Sequence, residues 1–130
     1  MKRILSSLIF ISSFPAAAHI VVYTDQQHPP VGITPDVRVV YLDASERWQQ
    51  QQFGALSSDP QLAARQARTV LNSPDWKIRQ KALVEQYQGL LDAWRLGLKK
   101  YPAVVFDDRD VVYGTADIPD AVALRRGAAQ

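Results

Sequence analysis

The chain has 130 residues, 47% of them hydrophobic and 22% charged, the proportions of one globular domain rather than of a disordered or fibrous protein. It contains no cysteine, which excludes a disulfide framework, thiol catalysis and cysteine-based metal sites. A formal charge of +2 and a pI near 9.0 read as mildly basic until the basic residues are located along the chain.

Lys2 and Arg3 stand before an apolar run from Ile4 to Phe14, and Pro15-Ala16-Ala17-Ala18 follows. A charged, then apolar, then small-residue order is that of a secretory signal, with cleavage expected after Ala18. The apolar run falls well short of the ~20 residues that span a bilayer, so a permanent membrane helix is not expected here. Residues 1–18 are thus read as a signal peptide and residues 19–130 as the domain. Cleavage takes two of the 15 basic residues and none of the 13 acidic ones, so the exported chain carries no net formal charge. The general electrostatic case for direct nucleic-acid binding goes with it.

His19 to Thr24 and Val37 to Leu42 are short, β-branched and aromatic, and read as buried strands. Between them Pro29, Pro30, Gly32 and Pro35 leave no room for a regular helix. The dozen intervening residues suffice for a crossover, so the two strands are expected to be parallel. Asp43 with Glu46 has capping-box spacing and opens a first helix running to about Phe53. Asp59-Pro60 opens a second, to about Leu71, and Ser73-Pro74 a long third that stops before Gly97. In that third helix Leu83, Tyr87, Leu90, Leu91 and Trp94 keep the three-and-four spacing expected of a core-facing stripe. Pro102 then stands at the head of an apolar strand ending at Phe106. Proline suits that place because it cannot donate to a ladder, and a tight X-Pro connection favours a cis bond. A polar turn, Asp107 to Asp110, returns a second strand that ends at Gly114, and Asp117 caps a last helix to about Arg125, with a frayed tail beyond. Two strands, three helices, a hairpin and a helix predict an α/β domain with helices packed on a four-stranded mixed sheet.

Three residue groups invite a chemical reading. Asp107, Asp108 and Asp110 have the composition of a hard-cation site, but an acidic turn between two apolar strands is ordinary hairpin chemistry. Asp25 with His28 supplies half of a hydrolytic constellation without a recognisable activated serine. His28, Pro29, Tyr101 and Pro102 form the third group, the best binding candidate, whose placement together rests on the family resemblance given below. No cofactor or metal is expected. Trp94 is assigned to the core, and Trp76 to a partner surface.

The segment Trp94-Arg95-Leu96-Gly97-Leu98-Lys99-Lys100-Tyr101-Pro102-Ala103-Val104-Val105 resembles the cis-proline segment of the thioredoxin superfamily. Val22-Tyr23-Thr24-Asp25-Gln26-Gln27-His28-Pro29-Pro30-Val31 is similar to the start of a glutaredoxin, with His28 and Val31 where the two cysteines would stand. The resemblance implies a thioredoxin-like fold, in which His28-Pro29 and Tyr101-Pro102 would meet at one end of the sheet and leave main-chain groups beside the proline for an extended peptide, while disulfide chemistry does not carry over. More narrowly, Tyr41-Leu42-Asp43-Ala44, Tyr87-Gln88-Gly89, Tyr101-Pro102-Ala103-Val104-Val105 and Val112-Tyr113-Gly114 resemble the small exported thioredoxin-like protein of integrating conjugative elements in Gram-negative bacteria. That likeness implies a periplasmic, non-catalytic part in conjugative transfer through a type IV secretion apparatus. Its partners would be protein components of the machinery, with peripheral docking on a membrane complex left open. An enzyme with a non-thiol site near His28, and a holdase-like chaperone for secreted subunits, are the competing readings.

Overall fold

The computed structural model describes residues 17–130. The first sixteen residues of the expected signal segment lie outside the described residues. Strands β1 (Ile20–Thr24) and β2 (Val37–Tyr41) come first, followed by helices α1 (Ala44–Phe53), α2 (Pro60–Leu71) and α3 (Trp76–Arg95). A hairpin of β3 (Ala103–Phe106) and β4 (Asp110–Tyr113) leads to α4 (Ile118–Ala128).

The strands form one mixed sheet in the order β2-β1-β3-β4. β1 runs parallel to β2, with Val22 beside Val39, and antiparallel to β3, with Val22 opposite Val104. β4 closes the hairpin with Val112 opposite Val104. This is the α/β architecture expected, a thioredoxin-like four-stranded sheet with helices on it and no cysteine motif. The crossover from β1 to β2 contains no helix. Residues 25–36 form a loop pinned by a bridge between Val31 and Asp117, at the start of α4.

Alternation along the two central strands divides the core. Val22, Val104 and Phe106 face Ile118 and Ala121 of α4, whereas Val21, Tyr23 and Val105 face Ala93 of α3 together with Val40. Both faces are covered, which is why β1 and β3 read as continuous apolar runs and not as alternating ones.

The helix signals were legible in differing degrees. Asp59 accepts hydrogen bonds from the Gln61 and Leu62 N–H groups at 2.8 and 3.1 Å, ahead of Pro60, as a cap should. Asp43 makes no cap bond, because its carboxylate is taken by Arg47 at 3.1 Å. α3 ends in a Schellman motif. Gly97, with φ of 67°, donates to the Trp94 carbonyl, and Leu98 donates to that of Ala93. α4 continues past Arg125 to Ala128, correcting the shorter helix and frayed tail, because Arg125 is anchored to the hairpin.

The hairpin turn places Asp107 and Asp108 at φ of 53° and 52°, a left-handed pair that aspartate tolerates better than most residues. Asp110 accepts from Arg125 Nε and Nη2 at 3.0 and 2.7 Å, and the same guanidinium lies 4.6 Å above the Phe106 ring. The Arg125 hydrogen bond holds the Asp110 carboxyl below its ordinary value. A depressed folded value contributes stability above the unfolded pKa, and that contribution fades as pH falls through the folded value. Asp110→Asn should therefore lower the urea midpoint at pH 7, and the difference from wild type should begin to shrink below about pH 4 and close only as pH falls through the depressed folded value. Parallel urea titrations at pH 7 and pH 3 read this directly.

Candidate functional site

Pairing of Tyr23 with Ala103 brings the end of β1 and the start of β3 to one end of the sheet. The His28 loop leaves from the first and Tyr101-Pro102 enters the second, so the topology places all four predicted residues at that end. The Tyr101–Pro102 peptide is cis. Among the described residues no hydrogen bond joins the His28 loop to the proline, so they are neighbours by topology and not a bonded unit.

The loop is held from within. Thr24, fully buried, donates its hydroxyl to the His28 carbonyl at 2.5 Å. Asp25 accepts the His28 backbone N–H at 2.9 Å, and the same carboxylate oxygen stands 2.6 Å from His28 Nδ1. That contact assigns the proton to Nδ1 and turns Nε2 outward on a side chain that is half exposed. Partial burial pushes the Asp25 carboxyl up, yet the His28 hydrogen bonds outweigh it and leave it below its ordinary value. An oriented imidazole of this kind can accept a hydrogen bond or a proton at Nε2. Among the described hydrogen bonds, no nucleophilic hydroxyl meets that nitrogen.

Across from the loop, Pro102 is half-buried and its carbonyl accepts from the Gly114 N–H at 2.9 Å. Tyr101 is 52% exposed, and none of the described main-chain hydrogen bonds uses its N–H or carbonyl. The acidic turn is engaged elsewhere. Asp107 accepts from the His19 N–H at 2.9 Å, and Arg125 bridges Asp107 and Asp110.

Two surface features escaped the sequence reading. A groove of about 630 Å³ opens where β2 forms the sheet edge, walled by Trp48 of α1 and by Ala82, Gln86 and Gly89 of α3. Trp76 packs on Trp48 and Phe53, with ring centroids 5.8 and 6.2 Å away, and so belongs to an aromatic cluster instead of a free partner surface. Meanwhile the predicted core stripe of α3 points largely outward. Tyr87, Leu90, Leu91 and Trp94 are exposed, and it is Gly89 and Ala93 that face the sheet. The readable signal for this inversion was the row of small residues Ala82, Gly89 and Ala93, which lets the helix approach β2 closely.

Fold and site together define a cysteine-free α/β domain with a four-stranded mixed sheet and, at one end of it, a histidine held by Asp25. The chain belongs to the family described as protein of unknown function (DUF1525), whose model matches residues 17–127. No curated protein and no solved structure matches it.

Proposed function

We propose that the protein is a non-catalytic component or assembly factor of the conjugative transfer apparatus, a type IV secretion system, of an integrating conjugative element. On this reading it works in the periplasm of a Gram-negative bacterium and binds protein components of that machinery. The observation that carries the proposal is a thioredoxin-like sheet end with no thiol, an exposed Tyr101 and main-chain groups free of described partners. An extended segment of a partner can pair with those main-chain groups through hydrogen bonds. The narrow likeness to the small exported thioredoxin-like protein of conjugative elements supplies the setting. Among the described residues no helix is long and apolar enough to cross a membrane.

An in-frame deletion is expected to reduce mating frequency sharply, with wild-type protein restoring it in trans. Tyr101→Asp should fail to restore it while accumulating normally, and His28→Ala should succeed. Unchanged mating after deletion sinks the proposal. The Asp25–His28 pair favours one second reading, a non-thiol enzyme. Failure of a well-folded His28→Ala protein to complement, with Tyr101→Asp complementing, would decide for it.

A further inference from the structure

The exposed apolar face of α3 has the spacing of a coiled-coil seam. Val84, Tyr87, Leu91 and Trp94 stand three, four and three residues apart, which sets them along one narrow line of the helix. Val84 is 62% exposed and Trp94 79%, an unusual placement for an indole on a helix whose other face is already buried. Tyr87 is steadied by Gln49, which donates to its hydroxyl at 2.9 Å, leaving the ring on the surface. Leu90, 40% exposed, widens the same face, and the three-four-three spacing at its centre is that of a seam a second helix fills.

The charges beside the seam select the partner. Lys81 and Arg95 flank it along one side, and Lys99 and Lys100 lie just past its end. Among the described residues no lysine has a carboxylate within ion-pair distance. Of the acids of this stretch, Asp92 is shared between Arg38 at 3.3 Å and Arg95 at 3.9 Å, and Glu85 lines the groove toward β2, so it is Lys81, Lys99 and Lys100 that have no ion-pair partner among the described residues. A second copy is therefore a poor occupant, because an antiparallel pair sets Lys81 of one chain near Arg95 of the other.

We propose that this face of α3 docks an amphipathic helix of a different protein, one with apolar a and d positions and acidic flanks. The proposal rests on α3 alone and holds whether or not the partner belongs to a conjugative apparatus.

The test uses the purified protein and labelled helical peptides with leucine at a and d and either glutamate or lysine at e and g. Fluorescence anisotropy should report binding of the glutamate peptide, weakened by added salt, and much weaker binding of the lysine peptide. Trp94→Ala should reduce the affinity at least about tenfold, as loss of an aromatic anchor does. Leu91→Asp should abolish binding, with circular dichroism and the unfolding midpoint unchanged in both variants. Four results would overturn the proposal: equal binding of the lysine peptide, no effect of Trp94→Ala, or binding only to phosphatidylcholine–phosphatidylglycerol vesicles. The fourth is a wild-type dimer in light scattering that Trp94→Ala converts to monomer.

Discussion

Gly89→Ala is expected to destabilise the protein in the otherwise unchanged chain and to stabilise it once Val40 is trimmed to alanine. A Cβ at position 89 would lie 2.6 Å from Val40 Cγ1, closer than any real contact. Val40 is buried, and its branched side chain has little rotational freedom with which to yield. The substitution therefore lifts α3 from β2 and loosens the packing of Val21, Tyr23 and Val105 beneath Ala93. Overpacking of this kind costs about 1–3 kcal/mol, against a helix-propensity gain of about 1 kcal/mol from replacing glycine. The net loss for alanine should be about 1 kcal/mol, and for Gly89→Val about 3 kcal/mol. With Val40→Ala the obstacle is gone and the new methyl fills space, so only the propensity gain remains. The sign change appears in a double-mutant cycle of urea midpoints. A rise in stability for Gly89→Ala alone would mean that α3 does not sit this close to β2.

The same position shows what could be read from the sequence and what could not. The strands, the hairpin, the proline-marked entry to β3 (to within one residue) and the parallel first pair were all legible, since each is signalled locally by β-branched runs, prolines or turn residues. Gly97 fell at the left-handed end of α3 for an equally local reason. Which face of α3 meets the sheet is not a local property. Periodicity identifies a large apolar stripe, but a helix that must approach a sheet closely does so with small residues, here Gly89 and Ala93. The Leu83-to-Trp94 pattern was a true periodicity assigned to the wrong neighbour. At the site, placement of His28 and Tyr101 at one sheet end followed from topology, and Asp25 was paired with His28 in the sequence reading. The Thr24 hydroxyl that fixes the loop was not foreseen, because a buried threonine at a strand end carries no spacing signal. The β2-edge groove was invisible for a similar reason, since its walls come from three separate elements.

Phe106→Ala should be among the most damaging single truncations, costing about 3–5 kcal/mol. The ring is 1% exposed and sits in the face packed by Ile118 and Ala121 of α4, next to Val22 and Val104. Its removal leaves a cavity at the last residue of β3, where the turn into β4 limits collapse. It also takes away the ring under the Arg125 guanidinium, an interaction worth about 0.5–2 kcal/mol. The melting temperature should fall by 10 °C or so at least, at a few degrees for each kcal/mol. Phe106→Leu, which keeps most of the volume, should cost about 1–1.5 kcal/mol. The Arg125–Asp110 ion pair is partly buried, and its hydrogen bonds join the hairpin to α4 without themselves using the ring. Phe106→Ala should accordingly keep the acid response assigned to Asp110, while Asp110→Asn loses it and retains a full core. If Phe106→Ala abolished that response as well, the ring and the ion pair would form one cooperative unit, and the hairpin and the final turn of α4 would unfold together.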